Sequence, residues 1–93
     1  MTTTTSLERD LLRTVEVFDP NGQRSVLLEG LRESATVAEI RTRAVGGLRL
    51  PPDFNWNVRH EQSGRLLQEE QRLGEFAEQT HVKLTMQPDA GLG

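Results

Sequence analysis

Ser34-Ala35-Thr36-Val37-Ala38-Glu39-Ile40 has the pattern of a helix start. A Thr36 hydroxyl at the N-cap accepts from the Glu39 amide while the Glu39 carboxylate reaches back to the Thr36 amide, which satisfies two otherwise orphaned donors reciprocally. The spacing predicts a helix beginning at Val37. Val37, Ile40, Ala44 and Leu48 recur on one face, and Glu39, Arg41, Thr42 and Arg43 fall toward solvent. Gly46-Gly47 offers left-handed backbone for a C-cap, and Pro51-Pro52 stops continuation.

On the N-terminal side, Arg13 to Phe18 alternates, with Val15 and Val17 on one side and Thr14 and Glu16 on the other, as a half-buried strand requires. Asp19-Pro20-Asn21-Gly22 is turn chemistry, so a hairpin is expected. Arg24 to Leu31 supplies the returning strand, with Val26, Leu28 and Leu31 facing inward if the pairing shifts near Gly30. On the C-terminal side, Phe54 to His60 reads as a strand in which Phe54, Trp56 and Val58 share a parity. Glu61-Gln62-Ser63-Gly64 turns it toward a short strand at Arg65-Leu66-Leu67. Leu73 and Phe76 are spaced to pin a single-turn segment onto the core. The last strand, Thr80 to Met86, alternates Val82, Leu84 and Met86 against His81, Lys83 and Thr85. The expected organisation is a flexible extension over 1–12, one domain over 13–86 and a flexible tail over 87–93. Leu7, Leu11 and Leu12 of the extension are placed to form a short turn against the domain.

The chain of 93 residues allows one small domain with a modest core. It has no cysteine, which excludes disulfides, thiolate metal sites and any thiol nucleophile of its own. A net charge of −3 gives no basic field for phosphate backbones, so nucleic acid is not expected as a partner. Met1 to Ser6 has neither the basic leader nor the apolar segment of a secretory signal, and no stretch is long and apolar enough to span a bilayer. A cytoplasmic protein with no membrane partner is expected. Ten arginines against one lysine is a skew common in GC-rich bacterial genomes.

Hairpin, one helix, Pro-Pro, a strand pair and a final strand is the element order of the β-grasp fold. Over about Arg13 to Gly93 the sequence resembles ubiquitin and its relatives. The resemblance is carried by the helix opening at Ser34 to Ile40, by Leu50-Pro51-Pro52-Asp53, by Leu67-Gln68-Glu69-Glu70-Gln71-Arg72-Leu73-Gly74-Glu75-Phe76 and by the closing strand Thr80 to Met86. It implies an α+β class, ubiquitin-like β-grasp fold with a mixed four- to five-stranded sheet wrapped around one central helix. It also implies a bacterial ubiquitin-like protein modifier rather than an enzyme. An activating enzyme would adenylate the C-terminal glycine with ATP, and thioesters would carry it through a conjugating enzyme to target proteins, where an isopeptide bond forms and a deconjugating protease reverses it. The chain itself would hold no cofactor and no metal. Gly93 would be the attachment point, since glycine has no side chain to obstruct the adenylating channel. Leu92 stands where the family usually has a second glycine, so Gly91 is the alternative attachment point if the end is processed. Gln87-Pro88-Asp89 replaces a basic tail, and Asn57-Val58-Arg59-His60-Glu61 replaces the apolar patch the family displays on its sheet, which implies dedicated partners.

The remaining residues carry competing readings. Lys83, the one lysine, is either a chain acceptor for a second copy or an edge charge that discourages sheet pairing. His60 and His81 read as surface histidines, Trp56 as a core-edge anchor, and Thr2 to Ser6 as a polar head rather than hydroxyl acceptors. Two other functions fit the same fold: a sulfur carrier forming a C-terminal thiocarboxylate, and a noncovalent interaction module of a secretion or regulatory complex.

Overall fold

A computed structural model describes residues 12–76 and 80–89. The elements run β1 (Arg13–Phe18), β2 (Ser25–Leu31), α1 (Val37–Leu48), β3 (Trp56–His60), β4 (Leu66–Leu67), α2 (Leu73–Phe76) and β5 (His81–Pro88). The strands form one mixed five-stranded sheet in the order β2-β1-β5-β3-β4. β1 and β5 are parallel, and the β1–β2, β3–β5 and β3–β4 pairs are antiparallel. This is the α+β arrangement expected from the sequence, with α1 packed across one face. The extension up to Leu11, with Leu7 and the Thr2 to Ser6 run, lies outside the described residues; Leu12 is exposed.

The β1–β2 hairpin closes on Asp19. Its carbonyl accepts from Gly22 at 3.0 Å and its carboxylate accepts from the Gln23 amide at 2.9 Å, while Gly22 takes the positive φ of 72° that such a turn requires. Burial pushes the Asp19 carboxyl up, but the amides of Arg24 and Gln23 together with the Arg24 guanidinium outweigh it, and its pKa falls below the ordinary value. Between Arg13 and Val15 the register against β2 slips by one residue. Gly30, at φ 71°, absorbs the bulge and returns Leu31 to the core.

Every first-turn donor of α1 finds an acceptor, as buried backbone demands. The Glu39 amide donates to Thr36 Oγ1 at 3.2 Å and the Thr36 amide to Glu39 Oε1 at 2.9 Å, which is the capping box read from the sequence. The Val37 and Ala38 amides donate to the carbonyls of Gln71 and Glu69 at 2.9 and 3.1 Å, so the segment before α2 seals the helix start. Val37, Ile40, Ala44 and Leu48 are buried against Val15, Val17, Val58, Leu84 and Met86, with Leu73 closing the core from α2.

The far end of α1 differs from the expectation. Gly46 and Gly47 lie inside the helix, and Arg49 takes the left-handed cap position at φ 57° and ψ 43°. Gly47 is there for clearance, because a Cβ on it would come within 2.8 Å of Val26 Cγ2 where α1 crosses β2. Gly46 faces open space. Replacing Gly46 with alanine should raise stability by roughly 0.5 to 1 kcal/mol through helix propensity. Gly47→Ala should lose that gain to overpacking and fall about 1 kcal/mol or more below Gly46→Ala. Thermal unfolding of both, and of Gly47→Ala with Val26→Ala as the rescue, checks the assignment.

Candidate functional site

The residues of interest radiate from β5. Val82, Leu84 and Met86 anchor the strand in the core, and their alternates His81 and Lys83 face solvent. Pairing with β1 runs from Thr14↔His81 to Phe18↔Thr85 and stops there, whereas pairing with β3 continues to Asn57↔Gln87 and Trp56↔Pro88. The Asp89 amide then donates to the Asn55 carbonyl at 2.8 Å. Gln87, Pro88 and Asp89, expected as the start of a flexible tail, are therefore held along β3, and the rest of that expected tail lies outside the described residues. Antiparallel ladders alternate bonded and non-bonded pairs, so the bond from Asp89 places the Pro88 nitrogen on the side that β1 has already left. A proline there forfeits no ladder bond, which is why it can sit in a strand.

Both candidate attachment points, Gly91 and Gly93, lie outside the described residues. The four residues from Ala90 to Gly93 can extend at most about 14 Å from Asp89, and a chain ending at Gly91 about half as far.

Lys83 sits on the solvent face of the central strand, opposite Glu16. β5 is flanked on both sides, so the reading of Lys83 as an edge charge does not hold. Around it the outer face is polar. Glu16 accepts from the Ser25 hydroxyl and lies 3.5 Å from His81 Nε2, and Arg59 pairs with Glu61 at 3.1 Å. The Thr85 hydroxyl donates to the same Glu61 carboxylate, whose amide donates to the Lys83 carbonyl. The Thr85 hydroxyl is the largest influence on Glu61. Together with Arg59 it outweighs desolvation and holds the carboxyl below its ordinary pKa. The exposed Leu27 and Leu66 lie on the two outermost strands, β2 and β4, with three strands between them. At roughly 4.8 Å per strand they are too far apart to form one patch.

His60 turns inward, its ring edge-on to Phe76 at 5.5 Å and its Nδ1 3.1 Å from Ser63 Oγ. Among the described residues no group of three or more His, Cys, Asp or Glu is placed to hold a metal ion. No helix among them is long and apolar enough to cross a membrane. Trp56 is the core-edge anchor expected, 8% exposed, with its indole N–H donating to the Pro51 carbonyl at 2.9 Å. Phe54 corrects the parity reading. It precedes β3, is 57% exposed and stacks on Trp56 at a centroid distance of 6.1 Å. The Trp56 anchor to Pro51 sets where the buried alternation starts, and the prolines just before it were the available signal.

These features define a ubiquitin-like β-grasp fold. Among solved structures, the archaeal Caldiarchaeum subterraneum ubiquitin matches with a TM-score of 0.69 at 21% identity, covering 89% of this chain and all of its own. A de novo design based on ubiquitin matches with a TM-score of 0.69 at 19% identity, covering 88% of this chain and 95% of its own. No family model and no curated protein matches the sequence. At these identities the likeness establishes the fold.

The depressed Glu61 pKa gives a signed expectation. A carboxyl held below its unfolded value contributes stability in full above that unfolded value and loses it as pH falls through the folded one. Thr85→Val should raise the Glu61 pKa in an NMR titration. Its stability deficit against wild type should be largest near neutrality and close progressively under acid in urea unfolding.

Proposed function

We propose that this chain is a ubiquitin-like protein modifier, itself not an enzyme, whose C-terminal glycine is the group transferred. A carboxylate oxygen of Gly93 attacks the α-phosphate of ATP on an activating enzyme and releases pyrophosphate. A thiolate of that enzyme then displaces AMP to form a thioester. After passage to a conjugating enzyme, an amine on the target attacks the thioester carbonyl, forming the isopeptide bond and returning the thiol. The nucleotide, thiols and acid-base groups belong to the partners, and the chain supplies the electrophile and the surfaces that present it. A cytoplasmic bacterial conjugation system is the setting that the resemblance and composition favour.

The observation that supports this reading most is the register at the end of β5. The strand is held through Asp89, beyond the last residue of β1 with which it pairs, so the position from which the final residues start is set by the sheet. The two glycines of the final four residues suit a narrow catalytic channel.

Expression of the chain with its neighbouring genes, followed by immunoblot and intact-mass analysis, tests the proposal. Adducts on other proteins should appear with wild type and vanish when Gly93 is deleted. A chain stopping at Gly91 should keep them if processing exposes that residue. A mass gain matching sulfur would move the assignment to a carrier, and an unaltered chain would move it to a noncovalent module. Lys83→Arg should leave single adducts in place and remove any ladder of chain-linked copies; a ladder that persists excludes Lys83 as the acceptor.

A further inference from the structure

We propose that the outer edge of β2 pairs with the same edge of a second copy of the chain, antiparallel and about a twofold axis at Leu27, so that one sheet runs through both domains. β2 is one end of the sheet, and its seven residues meet no further strand. The other end, β4, is two residues long and offers too little backbone to pair. Which groups of β2 look outward follows from β1. The Thr14 amide donates to the Thr80 carbonyl on the β5 side at 2.8 Å, and the Asp19 amide donates to the Arg24 carbonyl on the β2 side at 3.0 Å. Even-numbered residues of β1 therefore bond toward β5 and odd-numbered ones toward β2, which makes Val17↔Val26 and Val15↔Leu28 the bonded pairs. The backbone N–H and C=O groups of Ser25, Leu27 and Glu29 then point away from the sheet, and no other element among the described residues bonds them. Open edges are ordinarily guarded by lysine, proline or a bulge. Ser25 to Glu29 has none of these: the one lysine is on β5, and the bulge at Gly30 comes after.

The order of residues along the edge selects a second copy as the occupant. Set antiparallel about Leu27, the strand places Leu27 against Leu27 of the second copy and Ser25 against its Glu29, so every outward residue meets another and roughly six backbone bonds form. Moving the axis to Val26 calls on Gln23, whose amide is committed to the Asp19 carboxylate, and moving it to Leu28 calls on Leu31, which lies past the bulge. Moving it to Glu29 sets two carboxylates against each other. The register with most bonds is thus also the one that keeps the charges apart. The side chains match as well. Leu27, 51% exposed, lies opposite itself on the outer face, and the half-buried Val26 and Leu28 lie opposite each other on the inner one, extending the apolar layer they already share with the core. Arg24 does not obstruct the seam, because its guanidinium donates to the Leu48 carbonyl at 2.8 Å. β1 separates this edge from β5, so the pairing engages nothing in the proposed transfer from Gly93, and either reading can fail without the other.

Sedimentation velocity and amide NMR of the full chain, from micromolar to millimolar concentration, test the pairing. The seam is short beside a standard protein interface, so the expected dimer dissociates in roughly the hundred-micromolar range. Its shifts should centre on the Ser25, Leu27 and Glu29 amides, and hydrogen exchange at Leu27 should slow as concentration rises. Leu27→Lys and Leu27→Glu, at an exposed position outside the core, should each set like charges on the axis and weaken association roughly tenfold or more. Mixing the two variants in equal amounts should restore it, because opposite charges then meet. A chain that stays monomeric at millimolar concentration overturns the proposal, as do shifts centred away from β2, a dimer that survives Leu27→Lys, or a mixture no more associated than its components.

Discussion

The sheet is one sheet only because of β5. The β1–β2 hairpin and the β3–β4 pair have no strand contact with each other, and β5 joins them by pairing parallel to β1 and antiparallel to β3. Its inward residues Leu84 and Met86 are fully buried against residues from both halves and from α1. The join is made late in the sequence and over a long separation, so its closure entropy must be met before the core is complete. The same strand leads into the proposed reactive residues, so the point from which they start is fixed by a strand whose Val82, Leu84 and Met86 are buried in the core.

How far the fold was legible in the sequence follows from where the determining physics lies. The capping box, the Val37 stripe, the alternation of Val15 and Val17 and the bulge at Gly30 are local patterns, and each stands where its spacing placed it. The misreadings of Gly47, of the reach of β5 and of Lys83 depend on neighbours distant in sequence, whereas that of Phe54 turns on a hydrogen bond between residues five apart. Gly47 reads locally as a helix stop, but the close pass of Val26 explains it, and nothing in the helix reports that pass. Phe54 continues the parity of Trp56 and Val58 until the Pro51 carbonyl captures the indole and ends the buried alternation. The reach of β5 to Pro88 is invisible locally because proline reads as a strand breaker unless the vacated β1 side is known. At the candidate site, Lys83 was legible as solvent-facing but not as central.

The polar outer face and the open edge of β2 divide the surface unequally. On the sheet, Glu16, Arg59, Glu61 and Thr85 are bonded to one another or to adjacent residues, so a partner there would have to displace existing hydrogen bonds. Along β2 the outward backbone groups of Ser25 and Leu27 have no bond to another described residue to give up. The second arrangement favours association at the edge over association on the face.

The parallel alignment of β1 and β5 has a mechanical consequence. Tension applied between Leu12 and Asp89 pulls the two strands along their lengths in opposite directions, so the bonds between them, from Thr14 against Thr80 onward, are loaded together in shear. A pull on β5 from its C-terminal side first meets the β3 pairs at Pro88 and Gln87 and then this ladder. Resistance to forced extraction is thus built into the strand pair that closes the sheet.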